Sequence, residues 1–157
     1  MKNLLVSLSL LALVGCGSND SGAQTSSSSL VGTWVDQVDS TTVLQMVFTA
    51  TTWKMEELDQ LTSGAYALEI DSGTYTATAG AFTLTLTASS CEGVQSITNT
   101  ATAGTFTRTG NALDVTLGTS FLAFQLATAP PTGMGAATIG CFNSSGTFTA
   151  HAVTTVP

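Results

Sequence analysis

Leu30-Val31-Gly32-Thr33-Trp34-Val35 carries a glycine-threonine-aromatic core that returns three more times, as Gly73-Thr74-Tyr75, Gly104-Thr105-Phe106 and Gly146-Thr147-Phe148. In an extended chain successive side chains face opposite sides, so each copy sends its aromatic one way and its threonine neighbours the other. Ala81-Phe82-Thr83-Leu84-Thr85-Leu86-Thr87 is the clearest alternation, with Phe82, Leu84 and Leu86 on one face and threonines on the other. Without gaps, residues 73–86 fall over residues 104–117: glycine-threonine-aromatic, a turn, then three alternating apolar residues. The repeated unit is therefore a hairpin.

Working outward, about ten β segments follow one another from residue 30, separated by turn chemistry and almost without helical periodicity. In residues 41–50, Leu44, Met46 and Phe48 share one face while Val43, Gln45, Val47 and Thr49 share the other, so both faces are partly apolar. Residues 52–61 admit two readings. Lys54-Met55-Glu56-Glu57-Leu58 contains helix formers that Thr52 could cap, but as a strand the segment alternates Trp53, Met55 and Glu57 against Lys54, Glu56 and Leu58. The strand is favoured, because an isolated helical turn is marginal and neighbouring strands supply pairing partners. Glycine at Asp71-Ser72-Gly73 suggests a bulge, and Pro130-Pro131-Thr132-Gly133-Met134-Gly135 reads as a long loop. Consecutive hairpins make a meander whose edges need protection, and closure removes them. The expected fold is all-β, a small antiparallel up-and-down barrel of about 8–10 strands, with a two-sheet sandwich as the alternative.

Ahead of the β pattern stands Leu4-Leu5-Val6-Ser7-Leu8-Ser9-Leu10-Leu11-Ala12-Leu13-Val14, behind Met1-Lys2-Asn3. It is too short to span a bilayer and reads as the apolar region of a signal peptide. Leu13-Val14-Gly15-Cys16 resembles a bacterial lipobox. That resemblance implies cleavage before Cys16, diacylglycerol on its thiol and anchoring of the protein to a membrane by lipid. Gly17, where an aspartate would retain a Gram-negative lipoprotein in the inner membrane, implies delivery to the outer membrane. Residues 17–29 are a polar Gly/Ser/Thr tract that as a flexible coil would reach about 20 Å. The expected organisation is a signal peptide over 1–15, a lipidated cysteine and tether over 16–29, and a barrel domain over 30–157.

Assigning Cys16 to lipid leaves Cys91 and Cys141 in a compartment that permits disulfides, where a pair is the expectation and two separate small apolar residues the alternative. The chain carries a formal net charge of -7 in 157 residues, and beyond Lys2 only Lys54 and Arg108 are cationic. Such a chain lacks the basic footprint that nucleic acid requires.

Few residues suit catalysis. His151 is the only histidine, lies out of phase with Phe148 and is expected to face solvent, which leaves a Ser/His/Asp site without a base. One histidine and a cysteine pair do not assemble a zinc site, and no cofactor is expected. Glu56-Glu57-Leu58-Asp59 and Glu69-Ile70-Asp71 read as a solvated acidic surface, with Glu69 and Asp71 sharing a strand face. Trp34, Met46, Phe48, Tyr75, Phe82, Phe106, Phe124 and Phe148, together with Trp53 and Met55, either fill the barrel or line a ligand cavity.

Gly32 and Trp34, a glycine-x-tryptophan on the first strand of a small exported meander, make the domain similar to the lipocalin-like domains of bacterial lipoproteins. In that family the tryptophan closes one barrel end, often against an arginine near the last strand; here Arg108 lies mid-chain. The functional expectation is a non-enzymatic binding barrel, for a small apolar ligand. The alternative is a module that binds an exported protein, such as an inhibitor of lysozyme or of a protease.

Overall fold

The computed structural model describes residues 30–91 and 100–151; the expected signal peptide, Cys16 and the tether lie outside them. The described chain is all-β: β1 (Gly32–Gln37), β2 (Thr42–Phe48), β3 (Thr52–Gln60), β4 (Tyr66–Thr78), β5 (Ala81–Ser89), β6 (Ala101–Thr109), β7 (Ala112–Leu117), β8 (Ser120–Leu126), β9 (Thr138–Phe142) and β10 (Phe148–Ala150). Residues 52–60 are strand, paired along their whole length with β4. Each of β1 to β7 pairs antiparallel with the next, and β8 returns to β1 with Leu126 opposite Trp34. The result is a closed eight-stranded up-and-down barrel rather than a sandwich.

The two hairpins read from the repeat occupy equivalent places. Gly73 stands opposite Leu86 in one and Gly104 opposite Leu117 in the other. Both glycines are required by close approach: a Cβ at Gly73 would lie 1.9 Å from the Thr85 carbonyl oxygen, and one at Gly104 would lie 2.5 Å from the Phe82 ring. The β4–β5 register shifts between Ser72 and Gly73, the bulge that the glycine suggested.

Inside the barrel, Trp34, Met46, Phe48, Tyr75, Phe82, Phe106 and Phe124 join Leu30, Leu113 and Val115 in one buried core. Phe48 meets Tyr75 edge-on at 5.1 Å, and Phe82 lies 6.2 Å from Phe106. The fourth copy of the repeat departs from this scheme. Phe148 lies on β10, half-buried and outside the barrel core, with its ring 5.0 Å from Phe142. Its local pattern matches the other copies, but β9–β10 is a hairpin attached to the barrel wall, and Phe148 is not part of the core cluster.

That attachment is parallel. β9 pairs with the first half of β4, Ala67 with Thr138 and Leu68 with Ile139, while β5 pairs with β4 only from Asp71 onward. Ser90 stitches the junction: its hydroxyl accepts from the Ile70 amide at 2.9 Å and donates to the Gly140 carbonyl at 2.8 Å. Cys91 and Cys141 form a disulfide across the same junction.

The loop after β8 contains a short 3-10 turn, Met134–Ala136, that folds back over the outer face of β2 to β4. There Leu58, Leu68 and Ile70 form a second buried cluster with Val43, Tyr66 and Met134. This cover explains why both faces of β2 carry apolar residues. It also buries Glu56, which receives a hydrogen bond from the Gln45 amide at 2.5 Å and an ion pair from Lys54 at 2.9 Å.

Candidate functional site

The two ends of the barrel interior differ in chemistry. At one end Trp34 is fully buried and its indole N–H donates to the Leu30 carbonyl at 2.7 Å. The guanidinium of Arg108, on β6, sits over the Trp34 ring at 5.0 Å. Barrel closure thus gives the tryptophan an arginine, although the arginine lies mid-chain. This end is plugged.

Towards the other end the aromatic filling stops. Interior positions there are Leu84 and Leu86 on β5, Thr102 on β6 and Leu117 on β7, facing Trp53 and Met55 on β3 and Asp71 on β4. Among these residues a partly open cavity of about 300 Å³ remains, with Thr100 and Thr102 also in its lining. Trp53 and Met55 line it, whereas Trp34, Met46, Phe48, Tyr75, Phe82, Phe106, Phe124 and Phe148 do not. The first seven of those belong to the buried core, in one cluster with Trp53 and Leu84.

The acidic residues correct a second expectation. Residues directly opposite in an antiparallel pair share a face. Core residue Leu44 stands opposite Glu57, which stands opposite Glu69; Met55 stands opposite Asp71, and Asp59 opposite the buried Ala67. Glu57, Asp59, Glu69 and Asp71 therefore occupy the interior face of β3 and β4, half-buried, rather than a solvated outer surface. Period-two alternation from Trp53 and Met55 already carried this signal. The preference of carboxylates for water points the opposite way from that parity.

Burial and the neighbouring carboxylates Asp59, Glu69 and Asp71 push Glu57 up to about 6. Glu69 is also raised, by burial first, although the Phe142 amide donates to its Oε1 and opposes that shift. Thr42 donates to Asp59 at 2.6 Å. Among the described residues the groups that act on Glu57 and Glu69 are carboxylates and, at Glu69, the Phe142 amide. Asp39 behaves differently because it is a turn residue: the Thr41 amide and hydroxyl and the Thr42 amide donate to its carboxylate and lower it.

The Glu57 shift makes a pH prediction. The unfolded carboxyl titrates near its ordinary 4.5 and the folded one near 6, so between these values the folded chain holds a proton that the unfolded chain has released. This group favours the fold most below 4.5; the advantage is lost as pH rises through 6 and stays lost above it. For a side chain partly reached by solvent the loss is about 1 kcal/mol. In urea titrations, Glu57→Gln should gain about 1 kcal/mol on the native chain between pH 4.5 and 7. Parallel pH profiles would remove Glu57 as a source of acid-favoured stability.

Glu69, Cys91 and Cys141 place ligand atoms within 4.8 Å of one another, but the two sulfurs are bonded to each other and leave no thiolate for a metal. His151 is half-buried rather than solvent-facing: its amide donates to the Ile139 carbonyl and its Nε2 is shielded without a hydrogen-bond partner. Comparison with known proteins finds no matching family model, no matching curated protein and no matching solved structure.

Proposed function

We propose that this chain is a lipid-anchored, non-catalytic binding barrel of the bacterial cell envelope whose open end takes a small, largely apolar ligand. The observation that carries this reading is the cavity of about 300 Å³ between Met55, Leu86 and Leu117, at the lower edge of the ~300–1,000 Å³ typical of ligand pockets. A barrel filled throughout would have no such space. The packing around Trp34 supports the same reading, since it holds the wall in shape while a partly open cavity remains among the described residues. The Cys91–Cys141 disulfide supports an oxidising compartment, in keeping with the lipobox resemblance at Cys16.

Two measurements test the proposal. Native mass spectrometry of the full-length protein released from envelope membranes should show a co-purifying small molecule; a bare mass, with no thermal shift across a panel of short-chain amphiphiles, would sink ligand carriage. Cys16→Ser should move the protein from the membrane fraction to the soluble fraction, and retention on the membrane would overturn the lipid anchor.

A further inference from the structure

Beyond the interior binding reading above, we propose that the outer wall of the barrel carries a second site, for a small aliphatic carboxylate. On the outside of β2 to β5 lies a partly open cleft of about 340 Å³ that shares only Trp53 with the interior cavity. Register places its side chains. Val47 stands opposite Lys54 and Lys54 opposite Ser72, on the other face of the wall from Met46, Met55 and Asp71. Ser72 and Gly73, the residues at the β4–β5 register shift, both line the cleft, and Thr74 and Thr87 line it as well. Bulges of this kind re-aim side chains and recur beside functional sites.

Ser72 is the observation that points to a ligand. It is only 6% exposed, yet its hydroxyl has no hydrogen-bond partner among the described residues. Buried hydroxyls are ordinarily satisfied, and this one belongs to the wall of a cleft on the face that Lys54 shares. A hydroxyl can donate to an anion, as an ammonium can.

The charge of the cleft selects the ligand. Lys54 is one of two cations beyond Lys2 in a chain of net charge -7, and among the described residues no carboxylate lines the cleft. Glu56 takes one ammonium hydrogen at 2.9 Å from below the surface, where its other oxygen accepts from the Gln45 amide. An ammonium has three donors, so two remain for a ligand on the face that carries Ser72. An amine would be repelled there, and an alcohol would leave the charge unanswered. The rest of the lining is mostly apolar, with Val47 in it, and suits a short aliphatic chain that inorganic phosphate lacks.

The test is an amide NMR titration of the isotopically labelled, exported, full-length Cys16→Ser chain with butyrate and with butanol near neutral pH. Butyrate is expected to shift the amides of Lys54, Gly73, Thr74 and Thr87 saturably, and to bind at least about fivefold tighter than butanol, the ratio that one partly exposed charge contact supplies. Lys54→Met should level the two ligands. Because Lys54 also pairs with Glu56, that variant could disturb the fold, and Ser72→Ala is the second one. It should weaken butyrate about threefold while keeping or raising the melting temperature, since an unsatisfied buried hydroxyl adds nothing to the free fold. A lowered melting temperature for Ser72→Ala would mean that the hydroxyl serves the fold and would overturn its role as a ligand contact. Equal binding of butyrate and butanol would overturn the carboxylate assignment. Shifts confined to Leu84, Leu86 and Leu117 would move butyrate to the interior and overturn the outer site. Absence of shifts with both would remove the outer site and leave the interior reading, which native mass spectrometry tests separately, where it stands.

Discussion

Replacing Trp34 by alanine is expected to destabilise the barrel by about 3–5 kcal/mol, the range for truncating a large aromatic in a core. Three losses combine at this position. The ring is fully buried and stands opposite Met46 and Leu126, so its removal opens a void between β1, β2 and β8, where the barrel closes. The Leu30 carbonyl loses its donor and Arg108 loses the ring beneath its guanidinium. Since domains are stable by only about 5–15 kcal/mol, the alanine variant could approach unfolding, so Trp34→Phe is the companion measurement. Phenylalanine keeps a ring under Arg108 but cannot donate to Leu30, and should cost about 1–2 kcal/mol. Urea denaturation of both variants checks the pair. A loss below about 1 kcal/mol for Trp34→Ala would mean that the plugged end does not hold the barrel together.

Local pattern suffices to place Trp34 on an inward strand face but not to supply its partner across the barrel. Period-two alternation identifies strands β2, β5 and β7, because one side of each meets the core and the other meets water or the outer cover. The repeat also carried register: an offset of 104 − 73 = 31 residues equals 117 − 86 = 31, and both pairs are opposed in their hairpins. Closure is not local. Nothing near Arg108 in the chain indicates that β6 will stand across the barrel from β1, so the contact with Trp34 could not be read.

Phe148 and the acidic residues failed for opposite reasons. Phe148 has the local pattern of a core residue, but its strand follows β9, whose parallel pairing with β4 places the hairpin outside the ring. Glu57, Asp59, Glu69 and Asp71 have interior parity, and the usual preference of carboxylates for water argued them outward. Sequences are expected to break such preferences at functional positions. The line of acids inside β3 and β4 is the clearest conflict between parity and polarity in the chain, and it borders the cavity.

Removing the Cys91–Cys141 bond is expected to lower stability by about 4 kcal/mol, because the cross-link closes a loop of 50 residues in the unfolded chain. That loop contains β6, β7 and β8, three of the eight barrel strands, so the effect should reach the whole cooperative unit rather than β9 alone. For a domain of this size the melting temperature should fall by roughly 10–15 °C. Cys91→Ala combined with Cys141→Ala is the suitable variant, since Cys141 is almost fully buried and alanine adds no polar group there. Hydrogen exchange separates the two mechanisms. If the cross-link acts on the unfolded chain, amides of β7 and β8, distant from the bond in the ring, lose protection along with those of β9. If β9 and β10 alone lose protection while the barrel melts where it did before, the bond merely fastens a hairpin to β4. The grip of Ser90 on Ile70 and Gly140 would then be too weak to hold that hairpin unaided.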